Sequence, residues 1–520
     1  MAIDNPNAAG PDRPASRWTL DITSDAVLPV KRKGLLRRLK NLVCLGAAAR
    51  PTSTSPEGGS SGDGGHHRPL RPTAYLDGLR GFAAFLVYWH HNELWAHAWQ
   101  PGEVSAYFEN AWGWGGRFYF ATFYGVRNFF TGGHFAVAIF YVISGYVLSM
   151  KPLRLIHEGE HLKAADNLGS ALFRRWFRLY IPCAVTTLVY VTSWHVFGVW
   201  NTLCPPKPTY REELWRWYNE FMSFSFVFKE TMVPWVSYNT HLWSIPLEMR
   251  GSIVVWTVVL ALSRATVRAR LLCQLVLIFY FLYLSDGYYG ALFVAGMLQA
   301  DLDMLARSPD GYFPRFLRRL EPFKVFLYYH LFFLSMFLSG VPSLTDDVNK
   351  LRANPGWYWL SYLKPQAMHD PKWFFLFWAA NMLVACIPRL RWLRRFFESR
   401  FCQYLGRISF ALYLVHGPVL AIVGDRLYHA VGWVSPVDED KKHLAAWANR
   451  LPLSRAGPLG LELSFLLPHI ILLPLTLWVA ELTTRWVDEP AVNFAHWLYR
   501  RTLGGGDSPP PKPEDAMRLA

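Results

Sequence analysis

The sequence predicts an all-α, polytopic membrane protein with about ten transmembrane helices and both termini in the cytosol. Of the 520 residues, 52% are hydrophobic and 18% are charged, whereas soluble domains carry about 25% charged residues. Long apolar stretches recur along most of the chain. Lys and Arg are about three times as dense in the predicted inner loops as in the outer loops, which is the positive-inside bias of membrane proteins.

The apolar stretches all fall within residues 74–500, which we predict to form one membrane domain. A helix needs ~20 residues to cross ~30 Å of hydrocarbon, and several stretches are shorter than this. An even number of spans returns the chain to its starting side, so both termini are predicted on the cytosolic face. The ten stretches are 79–95, 134–150, 177–199, 242–262, 271–284, 287–300, 325–340, 373–387, 402–423 and 460–484.

The two ends of the chain differ from this domain in composition. Residues 1–73 are rich in Pro, Gly and Ser and predict a mostly disordered cytosolic extension. Within it, residues 31–43 place leucines at helical spacing opposite a basic face. Two interpretations stay open: an interfacial helix on anionic lipid, or a solvated basic tail that helps to fix topology. Residues 501–520 predict a disordered cytosolic tail.

The overall charge and the cysteines exclude some classes of function. The formal net charge is +15, but loops that obey the positive-inside bias account for such an excess, and we expect no nucleic-acid partner. The six cysteines contain no CxxC pair and no metal-ligand spacing. We therefore expect neither a disulfide scaffold nor a metal centre.

The first span carries two ionisable residues on one helix face. Arg80 and His91 are eleven residues apart, which is close to three helical turns, or ~16 Å along the axis. Arg80 is then at the cytosolic edge and His91 is near mid-membrane, where ionisable groups are costly and often functional. Histidine suits general-base chemistry, although a buried structural histidine is the alternative. That alternative is the stronger one for His90, which is turned by ~100°.

Two further polar features belong to the second and third spans. Ser144 lies ten residues into its span, which predicts a depth similar to that of His91. Its alternative role is a small residue that lets helices approach closely. Arg174, Arg175 and Arg178 stand at the entrance of the third span. Guanidinium groups pair with phosphate, but the positive-inside bias explains these arginines equally well.

The fourth and ninth spans each contain one more candidate. Glu248 lies inside an apolar helix, where it can bind a hydroxyl, pair with a catalytic histidine or hold helices together. His416 falls ~20 Å from the cytosolic side by helical rise. The sequence therefore predicts His91, Ser144 and His416 at similar depth on three different helices.

These segments together resemble the membrane-bound acyltransferase 3 family. The run from Leu76 to His91 is similar to the family's Arg-(ten residues)-His signature, and the resemblance covers about residues 74–500. The Pro- and Gly-rich ends point to a eukaryotic, fungal-type member. One departure is Met249, where many relatives have a second Glu. The later motifs follow in the family's order at 140–146, 173–182, 242–248, 406–418 and 489–490.

The resemblance implies an enzyme that transfers an acyl group, typically acetyl, from acyl-CoA to a hydroxyl. The acceptor would be a sugar, a lipid or a natural product, and membrane lipids would surround the protein. Acyl-CoA is expected as co-substrate, with no bound cofactor and no metal. The resemblance also implies three sets of residue roles. His91 would be the general base, with Arg80 and Glu248 as further catalytic residues. The acyl-CoA ligands would be Arg174, Arg175 and Arg178, and the supporting residues would be Ser144, His416 and His90.

Two other classes of function are compatible with the same residues. A secondary transporter would use the buried His and Glu side chains as a proton relay, but the sequence shows no internal repeat of the kind that builds transporters. A non-catalytic membrane scaffold leaves the polar groups at mid-membrane unexplained. We expect an integral, multi-pass protein of the endoplasmic reticulum or another endomembrane.

Overall fold

The computed structural model describes residues 70–97, 120–199, 204–228, 236–308, 312–342, 347–434 and 442–503. Regular secondary structure in these residues is helical throughout, as the composition predicts. The described residues belong to one compact unit, 69–520. Residues 1–69 and 504–520 lie outside the described residues. The predictions for the basic segment 31–43, and for nearly all of both ends, therefore remain predictions.

Twelve helices of fourteen or more residues make up the membrane domain in the described part of the chain. Short helical segments connect them, including Thr240–Trp243, Arg391–Phe397, Leu420–Gly424, Leu463–Leu466 and Thr484–Asp488. The twelve helices are α1 (Ala74–His97), α2 (Gly133–His157), α3 (His161–Phe197), α4 (Tyr210–Ser225), α5 (Ser244–Ala261), α6 (Val267–Tyr283), α7 (Tyr288–Arg307), α8 (Lys324–Leu338), α9 (Pro371–Cys386), α10 (Arg400–Val419), α11 (His469–Thr483) and α12 (Glu489–Thr502).

The helices agree with a membrane protein, while the number of spans stays a prediction. Among the described residues, five helical stretches are long and apolar enough to cross a bilayer. A sixth is formed if α9 and the following short helix, which bend by 96°, count as one span. Four further helices, α1, α6, α7 and α8, coincide with predicted apolar stretches. Each of them either is too short or carries too many charged residues to meet the same criterion.

The third helix begins earlier than the sequence predicts. Residues 151–178 are predicted as an inner loop, whereas α2 continues to His157 and α3 starts at His161. The 37 residues of α3 correspond to ~56 Å of helix, which is longer than a bilayer is thick. The arginines at 174, 175 and 178 therefore project from a continuous helix, which fixes their spacing.

Helices α1 and α10 run side by side in the same direction and approach closely through glycines. Gly81 on α1 faces Gly406 on α10, and a methyl group added at Gly81 would overlap the backbone of Leu405 and Gly406. Helices α2 and α7 meet in the same way, since Gly145 lies against the backbone of Phe293. Small residues at such crossings allow the dispersion contacts that hold membrane helices together.

Replacing Gly81 by alanine is expected to destabilise the protein by about 1–3 kcal/mol, because the added methyl group has no space between two backbones. Gly169→Ala is the matched control. Gly169 also lies within a helix, but no other described part of the chain comes within 4 Å of the methyl group that this substitution would add, and alanine is the better helix former. Thermal unfolding in detergent should show a lower midpoint for the first variant only. Equal midpoints would contradict the close α1–α10 contact.

A buried ion-pair network joins α2, α6 and α7. The Arg270 guanidinium donates to both carboxylate oxygens of Asp301 at 2.8 and 2.9 Å. Gln274 donates to the same carboxylate at 3.0 Å, and the His157 ring lies 3.1 Å from it. The Asp301 charge is buried but fully paired, as buried charges require. This network ties α6 to α7 and to the last turn of α2.

Candidate active site

The centre of the site is a contact between His91 on α1 and His416 on α10. Nδ1 of His91 lies 3.1 Å from Nε2 of His416. At the other end of the same two helices, the Arg80 guanidinium donates to the Gly406 carbonyl at 3.3 Å. Arg80 and His91 both face α10, so the predicted common face is confirmed. The similar depth predicted for His91 and His416 is confirmed as well, and the structure adds that the two rings are in contact.

A hydrogen bond from His416 to a backbone carbonyl indicates which nitrogen of the His416 ring, and in turn of the His91 ring, carries the proton. Nδ1 of His416 lies 3.2 Å from the Leu412 carbonyl, which can only accept, so Nδ1 holds the proton in the neutral ring. Nε2 of His416 is then an acceptor for Nδ1–H of His91. In this arrangement Nε2 of His91 keeps its lone pair. A general base needs such a lone pair to accept a proton.

A third imidazole, His241, completes the cluster. Its ring centre is 3.9 Å from that of His91 and 4.9 Å from that of His416. Nδ1 of His241 lies 3.2 Å from Oδ1 of Asn239, and Asn239 donates its amide to the Leu414 carbonyl at 2.9 Å. The bond from Asn239 to the Leu414 carbonyl orients the Asn239 amide, so that the amide oxygen accepts a hydrogen bond from Nδ1 of His241. Nε2 of His241 therefore also carries a lone pair.

The sequence analysis did not select His241 as a site residue. His241 directly precedes the Leu-Trp-Ser segment and lies before α5, at the edge of a predicted outer loop. Its depth in the membrane therefore cannot be calculated from the rise per residue of a helix. Its partner Asn239 lies two residues earlier. A histidine directly before a motif that already contains Glu248 is the signal that could have indicated it.

His90 lies beside the cluster on the neighbouring face of α1. It is 3% exposed, and its ring centre is 5.9 Å from that of His134 at the start of α2. A methyl group added at Gly133 would meet the His90 ring, so the start of α2 packs directly on this side chain. These contacts agree with the structural role that the sequence favours for His90.

At the opposite end of the site, Glu248 is bound by two side chains from other helices. The Arg175 guanidinium on α3 forms a short ion pair with its carboxylate, and the Ser144 hydroxyl on α2 donates to it at 2.6 Å. Arg175 also donates to the Ser252 hydroxyl at 3.1 Å. The pair is largely buried, with side-chain exposures of 10% for Arg175 and 14% for Glu248.

The prediction that Ser144 shares the depth of His91 is wrong. The start of α2 at Gly133 already lies level with His90, so Ser144 is eleven residues, or ~16 Å, further along the helix. It therefore lies at the level of Arg175 and Glu248. The prediction took residue 134, the start of the apolar stretch, as the outer edge of the span, whereas the structure packs the neighbouring Gly133 against His90.

The remaining arginines gather around the same end, which we name the arginine end (Arg80, Arg174, Arg175 and Arg178). Arg178 is in electrostatic range of the other three and of Asp488, and Asp488 is also in range of Arg80. The Arg174 guanidinium donates to the His496 ring on α12, at 2.7 Å to the nearer nitrogen. The carboxylates of Glu248 and Asp488 lie among these guanidinium groups, and Arg80 also pairs with Asp77 at 3.6 Å.

A short polar connection lies between the arginine end and the histidines. The Tyr413 hydroxyl on α10 donates to the His241 carbonyl in a short bond, and it lies 2.6 Å from the Ser244 hydroxyl on α5. Tyr413 is in electrostatic range of Glu248, and Tyr141 donates to the Ser244 carbonyl at 3.2 Å. Polar groups therefore follow the interior from the guanidinium groups to the imidazoles.

Apolar helices that enclose a histidine cluster at one level and a group of arginines at another are typical of an integral membrane protein with a polar interior. The chain belongs to the acyltransferase 3 family and is an acyltransferase, since the family model, described as an acyltransferase domain, matches residues 73–482. This range contains every residue of the histidine cluster, and Asp488 lies just beyond it.

One curated relative extends the comparison over most of the chain. The O-acetyltransferase PaAT-1 of Phomopsis amygdali is 28% identical over 469 residues, which cover 85% of this chain and 87% of the relative. No solved structure matches the chain. The family predicted from the motif order is therefore confirmed.

Proposed function

We propose that this protein transfers an acyl group, acetyl in the first instance, from acyl-CoA to a hydroxyl group of a sugar, lipid or natural product. The observation that carries the proposal is the hydrogen-bond order in the histidine cluster, which leaves a lone pair on Nε2 of His91 inside a helical bundle. The relative from Phomopsis amygdali is named as an O-acetyltransferase, which agrees with this reaction class.

The arginine end supplies the binding site for the CoA phosphates. Charge-assisted hydrogen bonds from guanidinium to phosphate are short, strong and often bidentate. Arg174, Arg175 and Arg178 project from consecutive turns of one continuous helix, with Arg80 facing them from α1. The helical rise from Arg80 to His91 is ~16 Å, a length that the pantetheine arm spans when it is extended.

His91 acts as the general base in this proposal. Its Nε2 accepts the proton of the acceptor hydroxyl while the hydroxyl oxygen attacks the thioester carbonyl carbon. The carbon–sulfur bond then breaks, and the CoA thiolate takes the same proton back from Nε2. The imidazolium formed in between is stabilised because its Nδ1–H bond to His416 becomes charge-assisted.

Glu248 and Ser144 act on the donor side in this proposal. Glu248 fixes the Arg175 guanidinium, and Ser144 fixes the carboxylate in turn. Through Arg175 they set the position of the phosphates, and therefore how far the thioester reaches toward His91. An acyl-histidine intermediate would form on the same Nε2 lone pair. Trapping with hydroxylamine in the absence of acceptor distinguishes that covalent route from direct transfer.

We place the protein in the endoplasmic reticulum or another endomembrane, with both termini and the arginine end in the cytosol, where acyl-CoA is made available. The charge bias of the loops supports this orientation. Epitope tags at the two ends should be accessible to antibody after selective permeabilisation of the plasma membrane. A tag reached only after the internal membranes are opened would contradict the proposed topology.

The function is tested with microsomes that contain the full chain and acetyl-CoA labelled in the acetyl group. We expect label in an ester-linked product, together with release of free CoA that depends on an acceptor fraction extracted from the source cells. Microsomes from the same host without the chain are the control. If neither the labelled ester nor the acceptor-dependent CoA release exceeds this control, the proposed reaction is refuted.

A further inference from the structure

The three imidazoles of the histidine cluster converge from separate parts of the chain. His91 comes from α1, His416 from α10 and His241 from the segment before α5. One ring nitrogen of each lies within 4.8 Å of the other two, and no carboxylate or thiol belongs to the group in the described part of the chain. Such a set is invisible to spacing motifs, which is why the sequence predicts no metal centre.

Two of the three rings, those of His416 and His241, are held as metal-ligating histidines usually are. In metal sites the nitrogen that does not bind the metal donates to a carbonyl, carboxylate or water, which fixes the ring orientation and the tautomer. Nδ1 of His416 does so with the Leu412 carbonyl, and Nδ1 of His241 with the Asn239 side chain. Nε2 of His416 and Nε2 of His241 therefore keep the lone pairs that a metal ion needs.

The spacing of the His91 and His416 nitrogens fits one ion, and a nitrogen of His241 lies within 4.8 Å of both. Two ligands that each lie ~2.0–2.1 Å from a tetrahedral Zn²⁺ stand about 3.4 Å from each other. Nδ1 of His91 and Nε2 of His416 are 3.1 Å apart, so the two nitrogens need to separate by only a few tenths of an ångström. A metal ion and the proton that these nitrogens share therefore compete for one position.

We propose that His91, His241 and His416 form a binding site for a divalent transition-metal ion, best suited to Zn²⁺, whose occupancy stops acyl transfer. Imidazole nitrogen suits Zn²⁺, Cu²⁺ and Ni²⁺, whereas Mg²⁺ and Ca²⁺ prefer oxygen ligands. Three histidines are the protein ligands of open zinc sites, in which water occupies the fourth position.

The inhibitory effect follows from the tautomer of His91, and this part rests on the proposed function. An ion bound to Nδ1 of His91 needs the lone pair of that nitrogen, so the ring proton moves from Nδ1 to Nε2. Nε2 then becomes a hydrogen-bond donor and accepts no proton from an alcohol. No electron transfer is involved, and removing the metal returns the proton to Nδ1.

Metal binding is tested by itself, without an activity assay. The full-length protein in lipid nanodiscs is stripped with a chelator, dialysed against micromolar ZnCl₂, gel-filtered and analysed for zinc by mass spectrometry. We expect one tightly bound Zn²⁺ per chain, retained by the control His330→Ala, since His330 is an exposed residue of α8. His241→Ala and His416→Ala should each lose this zinc. Equal zinc in all four proteins indicates adventitious ions only and overturns the proposal.

The consequence for activity is tested in the microsomal assay with labelled acetyl-CoA. Zn²⁺ at a concentration that fills the site should lower ester formation at least tenfold, and a chelator should restore it. Full activity with the site filled would overturn the inhibitory role, as would activity that is lost on chelation and regained with zinc. Zinc binding without any acyl transfer would instead refute the proposed function and leave the metal site standing, so the two failures are distinct.

Discussion

Replacing His91 by alanine is expected to reduce acyl transfer by a factor of ~10² to 10⁴, the contribution typical of a general base. The variant lacks the Nε2 lone pair that accepts the hydroxyl proton in the proposed mechanism. The partner His416 keeps its own bond to the Leu412 carbonyl, so the rest of the cluster stays in place. The measurement is the initial rate of labelled ester formation in microsomes with equal amounts of protein.

Two controls separate the loss of a base from the loss of folding. Acetyl-CoA binding to purified His91→Ala should remain within a few-fold of wild type, because the arginine end lies ~16 Å away along α1. His330→Ala removes an exposed histidine and should leave the rate unchanged. Transfer by His91→Ala at the wild-type rate would refute the proposed role of His91.

Replacing Arg178 by alanine is expected to raise KM for acetyl-CoA by roughly 10- to 150-fold, with a much smaller change in kcat. One charge-assisted hydrogen bond contributes about 1.5–3 kcal/mol, and each 1.4 kcal/mol is tenfold in affinity. The CoA phosphates do not take part in the bond changes, so their contacts stabilise the ground state and the transition state alike and appear in KM.

Arg154→Ala is the matched control for this prediction. Arg154 lies on the last turns of α2 and pairs with Glu158 across a solvated surface, with a side-chain exposure of 64%. It contributes to the same positive-inside bias but has no part in the arginine end. If both variants leave KM unchanged, the arginines at 174, 175 and 178 of α3 serve topology only, which is the alternative that the sequence left open.

The parts of the site that lie on one helix were predictable from the sequence. Eleven residues between Arg80 and His91 are enough to place them on one face, because helical periodicity is independent of the neighbours. His416 was also predictable, since it follows Gly406 by ten residues on α10, which runs in the same direction as α1. Register within a helix and between two parallel helices was thus readable without coordinates.

The parts that depend on packing between antiparallel helices were not predictable. Ser144 was placed too near His91 because the level of α2 is set by how Gly133 packs on His90. The sequence also could not identify the partner of Glu248, because Arg175 reaches the Glu248 carboxylate from another helix, α3. His241 was missed because it precedes a helix, where neither periodicity nor hydropathy assigns a depth.

The central claim is that acyl-CoA binds with its phosphates at the arginine end and its thioester at His91. The most direct measurement is a cryo-EM structure of the full chain with a non-hydrolysable acetyl-CoA analogue in nanodiscs. We predict phosphate oxygens within hydrogen-bond distance of Arg174, Arg175 or Arg178, and the carbonyl carbon of the acetyl group within about 4 Å of Nε2 of His91. An analogue bound elsewhere, or one whose acetyl group ends outside the helical bundle, would contradict the account.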